Sequence, residues 1–340
     1  MTLLAVGLLL AAFCVWQGEM IVYGAGQGIG QAKVILESRP VEEVLADDQF
    51  PDSLKAKLHL VQEIREFAID SLGINDSENY KSVYDQHGKP ILWVVSGCPP
   101  YQLEAHKWDY PFLGALGYKG FFDLEKAKRE ERELQKMSLD TDVGEVGAWS
   151  TLGWFNDPIL SSMLNKSPGS LARLIIHELT HATLYVSGNA DYNENLATFV
   201  GDNGAILFLK SKYGVNSKEY KDYMGRLADI ELYSAHVLGG AMKLDSLYET
   251  FDEHTPEKEK STGKEGMIRH IISSSDTLNF YNASRYARIR KADFLPNNTF
   301  FMSFKMYREE QSVFEKEFRE EFDSNFQKYL TYLKSKYPHV

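Results

Sequence analysis

The chain is poor in cysteine and in basic side chains, and both shortages exclude classes of protein. Its only cysteines are Cys14 and Cys98, too few for a disulfide framework or a four-cysteine metal site. Lysine and arginine number 37 against 48 acidic residues, a formal net charge of −11. Because nucleic-acid binding relies on positive charge facing phosphates, we expect no nucleic-acid partner. With 44% hydrophobic residues, the chain has ample material for a packed core.

The one long uncharged run lies at the N-terminus, from Leu3 to Trp16. It has the length of a signal-peptide core and is short for a membrane span, although a tilted anchor reaching Tyr23 is also compatible. No lysine or arginine precedes it, unlike an ordinary signal peptide, and a packed N-terminal helix is the alternative. We expect residues 1–23 to be a signal or membrane-anchor segment that can contact a membrane.

The rest of the sequence predicts an α+β fold that is predominantly helical. Residues 24–165 have a mixed α/β pattern and residues 166–340 a helical one, and the two parts can form one continuous catalytic domain. Tyr80–Tyr84 and Ile91–Val95 are predicted to pair as strands, and Glu145–Leu152 to form another strand. Helical spacing covers Leu171–Val186, Asn193–Tyr213, Lys218–Thr250, Met267–Ser274 and Thr299–Lys336.

The strongest motif is His177-Glu178-Leu179-Thr180-His181, within an apolar stretch free of proline and glycine. Side chains four residues apart project from one helix face, so both imidazoles can reach one ion. Glu178 lies beside the first histidine, where it can take a proton from a zinc-bound water. The alternative is a helix with two structural histidines. The motif predicts a catalytic metal site.

A catalytic zinc needs a third protein ligand and one open position. The metzincin arrangement is excluded, because it requires glycine at Leu184 and histidine at Ser187. Glu194 falls in the first turn of the next predicted helix, and an antiparallel return after Gly188 would bring it back to the ion. Asp191 and Asp202 are the rival ligands.

These motifs together resemble a known family. The HExxH helix followed by Asn193-Glu194-x-x-Ala197 is similar to the gluzincin metallopeptidases, and the chain from about Tyr23 onward resembles the bacterial predicted aminopeptidases. Further segments carry the same resemblance: Arg39–Leu45, Gly117–Asp123, Ala148–Pro158 and Leu295–Asn298. The resemblance implies a gluzincin-like fold, Zn²⁺ on His177, His181 and Glu194, and Glu178 as the base.

The sequence departs from the relatives in three respects, the first being that it does not match their usual lipoprotein-like start. Some relatives have a cysteine pair where this chain has Asp109 and Ala115. Thr198 stands where thermolysin-like enzymes place an aspartate that supports a histidine, so that support must come from elsewhere.

The resemblance also suggests where a peptide substrate binds. Gluzincins commonly pair an extended substrate with an edge strand ahead of the zinc helix, and Gly147–Leu152, with Ala148, Trp149 and Ser150, is predicted to do so. The alternative is an ordinary sheet strand. Glu145 is the candidate carboxylate for the substrate's ammonium. Tyr307 is the first candidate to stabilise the oxyanion, ahead of Tyr192, Tyr233 and His236.

Three functional hypotheses follow. The first is a zinc aminopeptidase that removes N-terminal residues from peptides, exported to or anchored in the bacterial cell envelope with its catalytic part outside the cytoplasm. The second is a zinc endopeptidase with the same site. The third is a non-catalytic helical interaction protein with a vestigial site, and the intact motif residues count against it. The sequence does not indicate an oligomeric state.

Overall fold

The computed structural model describes residues 18–110, 114–146, 156–286 and 295–337. Within these ranges the chain is a predominantly helical α+β protein, which confirms the predicted fold class. The helices are α1 (Gly18–Glu37), α2 (Val41–Ala46), α3 (Asp52–Phe67), α4 (Leu124–Lys136), α5 (Pro168–Thr183), α6 (Ala190–Tyr213), α7 (Lys218–Tyr248), α8 (Glu257–Ser274), α9 (Ala283–Tyr286), α10 (Asn298–Arg308), α11 (Gln311–Phe322) and α12 (Phe326–Lys336). The strands are β1 (Arg39–Pro40), β2 (Ser82–Tyr84), β3 (Trp93–Cys98), β4 (Trp108–Tyr110), β5 (Gly114–Leu116), β6 (Tyr118–Phe121), β7 (Asp140–Glu145) and β8 (Ile159–Leu160).

The strands of the described chain form three small sheets, ordered β1-β2-β8, β6-β3-β7 and β4-β5. In the β6-β3-β7 sheet, β3 pairs antiparallel with both neighbours. Ser96 lies opposite Tyr118 on one side and Asp142 on the other. Directly opposed residues share a sheet face, so these three side chains project from the same face.

The predicted pairing of Tyr80–Tyr84 with Ile91–Val95 is wrong. Strand β2 instead pairs antiparallel with β1 and parallel with β8, while β3 belongs to a different sheet. The reason lies just after β2, where Gln86 binds the turn that follows β8: its N–H donates to Ser161 Oγ, and its Oε1 accepts from the N–H of Ser162. These bonds hold the chain along β8 and prevent a hairpin return.

Helix α1 has glycines at positions 24, 26, 28 and 30 and packs against the β6-β3-β7 sheet. The Tyr23 hydroxyl and Gln27 Nε2 both donate to the carbonyl of Gly120, at 3.0 and 2.8 Å. Gly30 fits against the ring of Phe122, where any Cβ would clash. Among the described helices, none is both long and apolar enough to span a bilayer. The Leu3–Trp16 run lies outside the described residues.

The main core surrounds α5 and α6. Helix α3 is extended by a π-helical turn at Ala68–Leu72 and ends at Gly73, whose φ is 81°. Its buried side chains, with those of α5, α6, α11 and α12, form one apolar cluster. A second cluster joins α7, α8 and α10, and a third lies between the β6-β3-β7 sheet and α4.

The C-terminal region is three helices and not the one predicted over Thr299–Lys336. The chain leaves helical conformation between α10 and α11, and again at Asp323 and Ser324, whose φ values are 52° and 56°. Asn325 then caps α12 through a bond from Lys328 N to its Oδ1. The break lets α12 fold back against α11, so that Phe318 packs on Phe326 and Tyr329.

Asn298 anchors the start of α10, the helix that carries Tyr307. It is fully buried, its Nδ2 donates to the carbonyls of Pro99 and Pro100 at 2.9 and 3.1 Å, and its Oδ1 accepts from the Tyr248 hydroxyl at 2.8 Å. Its N–H donates to Asp140 Oδ2. One side chain therefore joins α10, α7 and the end of β3.

We expect Asn298→Ala to lower the free energy of unfolding by roughly 2–4 kcal/mol, because it leaves several buried polar groups without partners. Tyr248→Phe is the matched comparison: it removes only one of these bonds and should cost about 1 kcal/mol. Urea denaturation of both variants measures this. Equal losses in the two variants would contradict the anchoring role.

Candidate metal centre

Helices α5 and α6 pack closely enough to bring the predicted ligands together. Pro168 occupies the first turn of α5, a position that suits proline, and the apolar face of the helix is buried. Gly201 of α6 lies against α5 at His177: a Cβ on it would lie 2.9 Å from the Arg173 carbonyl oxygen and 3.1 Å from His177 Cβ. Glycine therefore permits the approach of α6 to the motif helix.

The loop between the two helices is fastened by the residue before Glu194. Asn193 Oδ1 accepts from the N–H of Val186 at 2.8 Å, and its Nδ2 donates to the Val186 carbonyl at 2.9 Å. Asn189 caps α6 by accepting from the N–H of Tyr192. This tight return directs Glu194 toward α5.

The three predicted ligands meet at one point. The Nε2 atoms of His177 and His181 lie 3.2 Å apart, and Glu194 Oε2 lies 3.3 and 3.5 Å from them. Ligand atoms at tetrahedral positions about 2.0–2.1 Å from a zinc ion would be about 3.3–3.4 Å apart. Two imidazoles and a carboxylate are also a donor set that zinc accepts. These residues fit a metal ion, and in the described part of the chain they are the only such group.

The Glu194 carboxylate and the two histidines favour each other's charged forms. Burial alone would raise the pKa of Glu194, but the two histidines outweigh it and hold the pKa well below the ordinary value. Burial would lower the pKa of His181, yet the Glu194 carboxylate raises it overall. Burial raises the pKa of Glu178, against the opposing attraction of both histidines.

The second nitrogens of the histidines have no hydrogen-bonding partner among the described residues. Nδ1 of His177, Nδ1 of His181 and Oγ1 of Thr198 are all buried without one. Thr198 therefore gives neither imidazole the support that metal-binding histidines ordinarily receive.

The three ligands line a pocket of about 620 Å³, called here the metal pocket. Its other walls come from Lys166, from α5, from the β6-β3-β7 sheet and from α10. The lining residues are Leu92, Val94, Ser96, Tyr118, Asp142, Gly144, Glu145, Val146, Lys166, Arg173, Leu174, His177, Glu178, His181, Glu194 and Tyr307.

Of the other predicted site residues, Glu178, Glu145 and Tyr307 line the metal pocket. The charge of Glu194, followed by burial, raises the pKa of the Tyr307 hydroxyl well above its ordinary value, so this hydroxyl stays protonated. Glu145 lies exposed at the end of β7. Ala148, Trp149 and Ser150 lie outside the described residues, so the predicted substrate-pairing strand stays a prediction.

The rival candidates are engaged elsewhere. Asp202 accepts from Arg173 Nε and from Arg308 Nη1, and Asp191 is exposed at the start of α6. Tyr192 packs on Phe314 and Tyr337. Tyr233 does not line the metal pocket but a neighbouring, mostly apolar pocket that Tyr307 also borders. His236 Nε2 lies 2.7 Å from the Ile271 carbonyl oxygen.

Several residues that shape the pocket are not among those predicted from the sequence. Arg173 lies one helical turn before His177, a spacing visible in the sequence. No pattern in the sequence around Asp142 or Lys166 indicates that these residues line the pocket. Asn195 joins α6 to α10: its Nδ2 donates to the Met306 carbonyl at 2.7 Å and its Oδ1 accepts from the N–H of Glu310. It thereby positions the turn that carries Tyr307.

The site and fold define a class: a mostly helical α+β protein whose HExxH helix and following helix form a His-His-Glu group able to hold a metal ion. The chain belongs to the family described as "Putative aminopeptidase", whose model matches residues 23–336. This confirms the aminopeptidase family named from the motifs. Comparisons with curated proteins and with solved structures gave no match.

We expect Gly201→Ala to lower the free energy of unfolding by about 1–3 kcal/mol and to weaken metal binding, because the added methyl forces α6 away from His177. Thermal unfolding and zinc titration against a competing chelator measure the two effects. Gly239→Ala is the matched control, since nothing lies within 4 Å of its added Cβ. The idea fails if both variants bind zinc equally and unfold alike.

Proposed function

We propose that the protein is a zinc-dependent aminopeptidase that removes N-terminal residues from peptides. The observation that carries the proposal is the meeting of His177 Nε2, His181 Nε2 and Glu194 Oε2 within 3.2–3.5 Å of one another, in the same pocket as Glu178. Membership of the "Putative aminopeptidase" family suggests peptide hydrolysis and supports the choice of reaction.

His177, His181 and Glu194 are the residues that would hold the zinc ion. Zinc held there would supply a bound water with a pKa of about 7 and a positive charge that polarises the scissile carbonyl. Glu178 follows the first ligand directly and faces the same pocket. It accepts a proton from the attacking water and returns it to the leaving amine, which is ordinary general acid–base catalysis.

The Tyr307 hydroxyl supplies a hydrogen-bond donor in the same pocket as these acidic groups. It reaches the metal pocket from α10, and the Tyr307 and His177 rings lie 6.4 Å apart between centroids. Because it stays protonated beside Glu194, it donates to the negative oxygen that develops on the scissile carbonyl.

An aminopeptidase also needs a carboxylate for the substrate's α-ammonium. Glu145 serves this role in the proposal, and Asp142 is a second pocket carboxylate. Residues 147–152, including Ala148, Trp149 and Ser150, are proposed to pair with the substrate backbone. We also propose location in the bacterial cell envelope, supported by the uncharged Leu3–Trp16 run.

We expect Glu178→Gln to keep about one zinc per chain but to lose about 10²–10⁴-fold in kcat, because it removes the proton acceptor and none of the ligands. Metal analysis, together with assays on aminoacyl arylamides and on N-terminally blocked quenched peptides, tests this.

Glu125→Gln, on the exposed face of α4, is the charge control for that experiment. Cleavage of blocked peptides would instead support an endopeptidase. Wild-type protein that neither binds zinc nor cleaves peptides would sink the proposal.

We expect Tyr307→Phe to lower kcat about 10²- to 10³-fold with little change in KM, because the lost donor acts on the transition state. Tyr233→Phe should leave kcat unchanged, because Tyr233 does not line the metal pocket. Steady-state kinetics on one aminoacyl substrate compares them. A larger effect at Tyr233 would reverse the assignment.

A further inference from the structure

Lys166 is a partly buried cation without an anionic partner. It lies between the 3₁₀ turn Ser161–Asn165 and α5, and it lines the metal pocket. Among the described residues no carboxylate forms an ion pair with its Nζ, although its own carbonyl accepts from Lys57 Nζ at 2.7 Å. An uncompensated ammonium at a pocket wall indicates an anionic ligand.

The charges nearest Lys166 are also positive. Burial, followed by repulsion from Arg226 and Arg173, lowers the pKa of Lys166. Arg173 lines the same pocket, where its Nε is bound by Asp202. Arg226 is held by Ser170 Oγ in the first turn of α5. The start of α5 thus adds its positive helix end to a cluster of cations.

These cations lie to one side of the proposed metal ligands. Arg173 precedes His177 by four residues, about 6 Å along the helix axis. Lys166 lies just before the start of α5 at Pro168, which is about 14 Å from His177 along the axis. An extended peptide covers about 3.3–3.6 Å per residue. A carboxylate one to four residues beyond the scissile bond would therefore reach the cations.

Apart from the proposed ligand Glu194 and the proposed base Glu178, the carboxylates of the metal pocket lie on its sheet wall. Asp142 and Glu145 of β7 line the pocket there. Asp142 shares a sheet face with Tyr118, which also lines the pocket, through their common partner Ser96. The pocket therefore has acidic side chains on the β6-β3-β7 sheet and cations at the N-terminal end of α5.

We propose that Lys166 and Arg173 form a carboxylate-binding subsite, and that the substrates are short peptides of about two to five residues with a free C-terminal carboxylate. This inference rests on the proposed function and adds its substrate class. The α-ammonium lies at the carboxylates of β7, the scissile bond at the metal ligands, and the C-terminal carboxylate at Lys166. Proteins and long peptides exceed this span.

The test compares tetra-alanine with its C-terminal amide, using the zinc-loaded full chain. We expect wild-type kcat/KM to be about 10- to 100-fold higher for the free acid, mainly through KM, because a charge-assisted bond is lost in the amide. In Lys166→Met the ratio of the two kcat/KM values should fall to within about threefold of one, and Lys166→Arg should restore most of it. Lys128→Met, on exposed α4, is the charge control and should keep the wild-type ratio.

A third peptide separates the two sources of a carboxylate. An amidated tetrapeptide with aspartate at its third position offers only a side-chain carboxylate. If this peptide alone shows the Lys166-dependent preference, the C-terminal assignment is overturned. Equal cleavage of acid and amide by the wild type overturns the subsite while the proposed function stands.

Failure of every peptide to be cleaved would count against the proposed function instead. Calorimetric binding of tetra-alanine and its amide to the zinc-loaded Glu178→Gln variant then tests the subsite without turnover. Tighter binding of the acid that Lys166→Met abolishes supports the subsite. Equal binding of acid and amide overturns it.

Discussion

The close contact between α5 and α6 is the constraint on which the site depends. Two imidazoles on one helix cannot complete a metal site, and the third donor arrives only because α6 returns tightly and approaches at Gly201. Asn193 fixes the return, Glu194 follows as the donor, and Asn195 binds the end of α10. Three consecutive residues thus connect the loop, the metal ligands and the helix of Tyr307.

The motif helix and the third ligand, Glu194, could be predicted because the residues that specify them are close together in the sequence. The HExxH spacing specifies one helix face, and the glycine at 188 with a short loop leaves few positions from which an acid could return. The rival Asp202 could not be dismissed from the sequence, because its partners Arg173 and Arg308 lie on two other helices. Asp191 lies only three residues before Glu194. Which of the two carboxylates reaches the histidines depends on the orientation of α6, which the sequence does not give.

What the sequence did not reveal depends on long-range contacts. Asp142 joins the pocket through the register of β7 on β3, and Asn195 through bonds to residues more than a hundred positions away. The wrong hairpin at β2 has the same cause, since Ser161 and Ser162 supply the competing bonds. The C-terminal helix breaks depend on left-handed residues, Asp323 and Ser324, that periodicity does not detect.

The Asp202 carboxylate limits which substitutions this region of the molecule accepts. Its two oxygens bind Arg173 on the motif helix and Arg308, the residue after Tyr307, at 2.6 Å in the latter case. One acidic group therefore connects α5, which carries His177 and His181, to α10, which carries Tyr307. Substitution of that group leaves two cations close together in a mostly buried region, so the energetic effects of substituting the three residues are not additive.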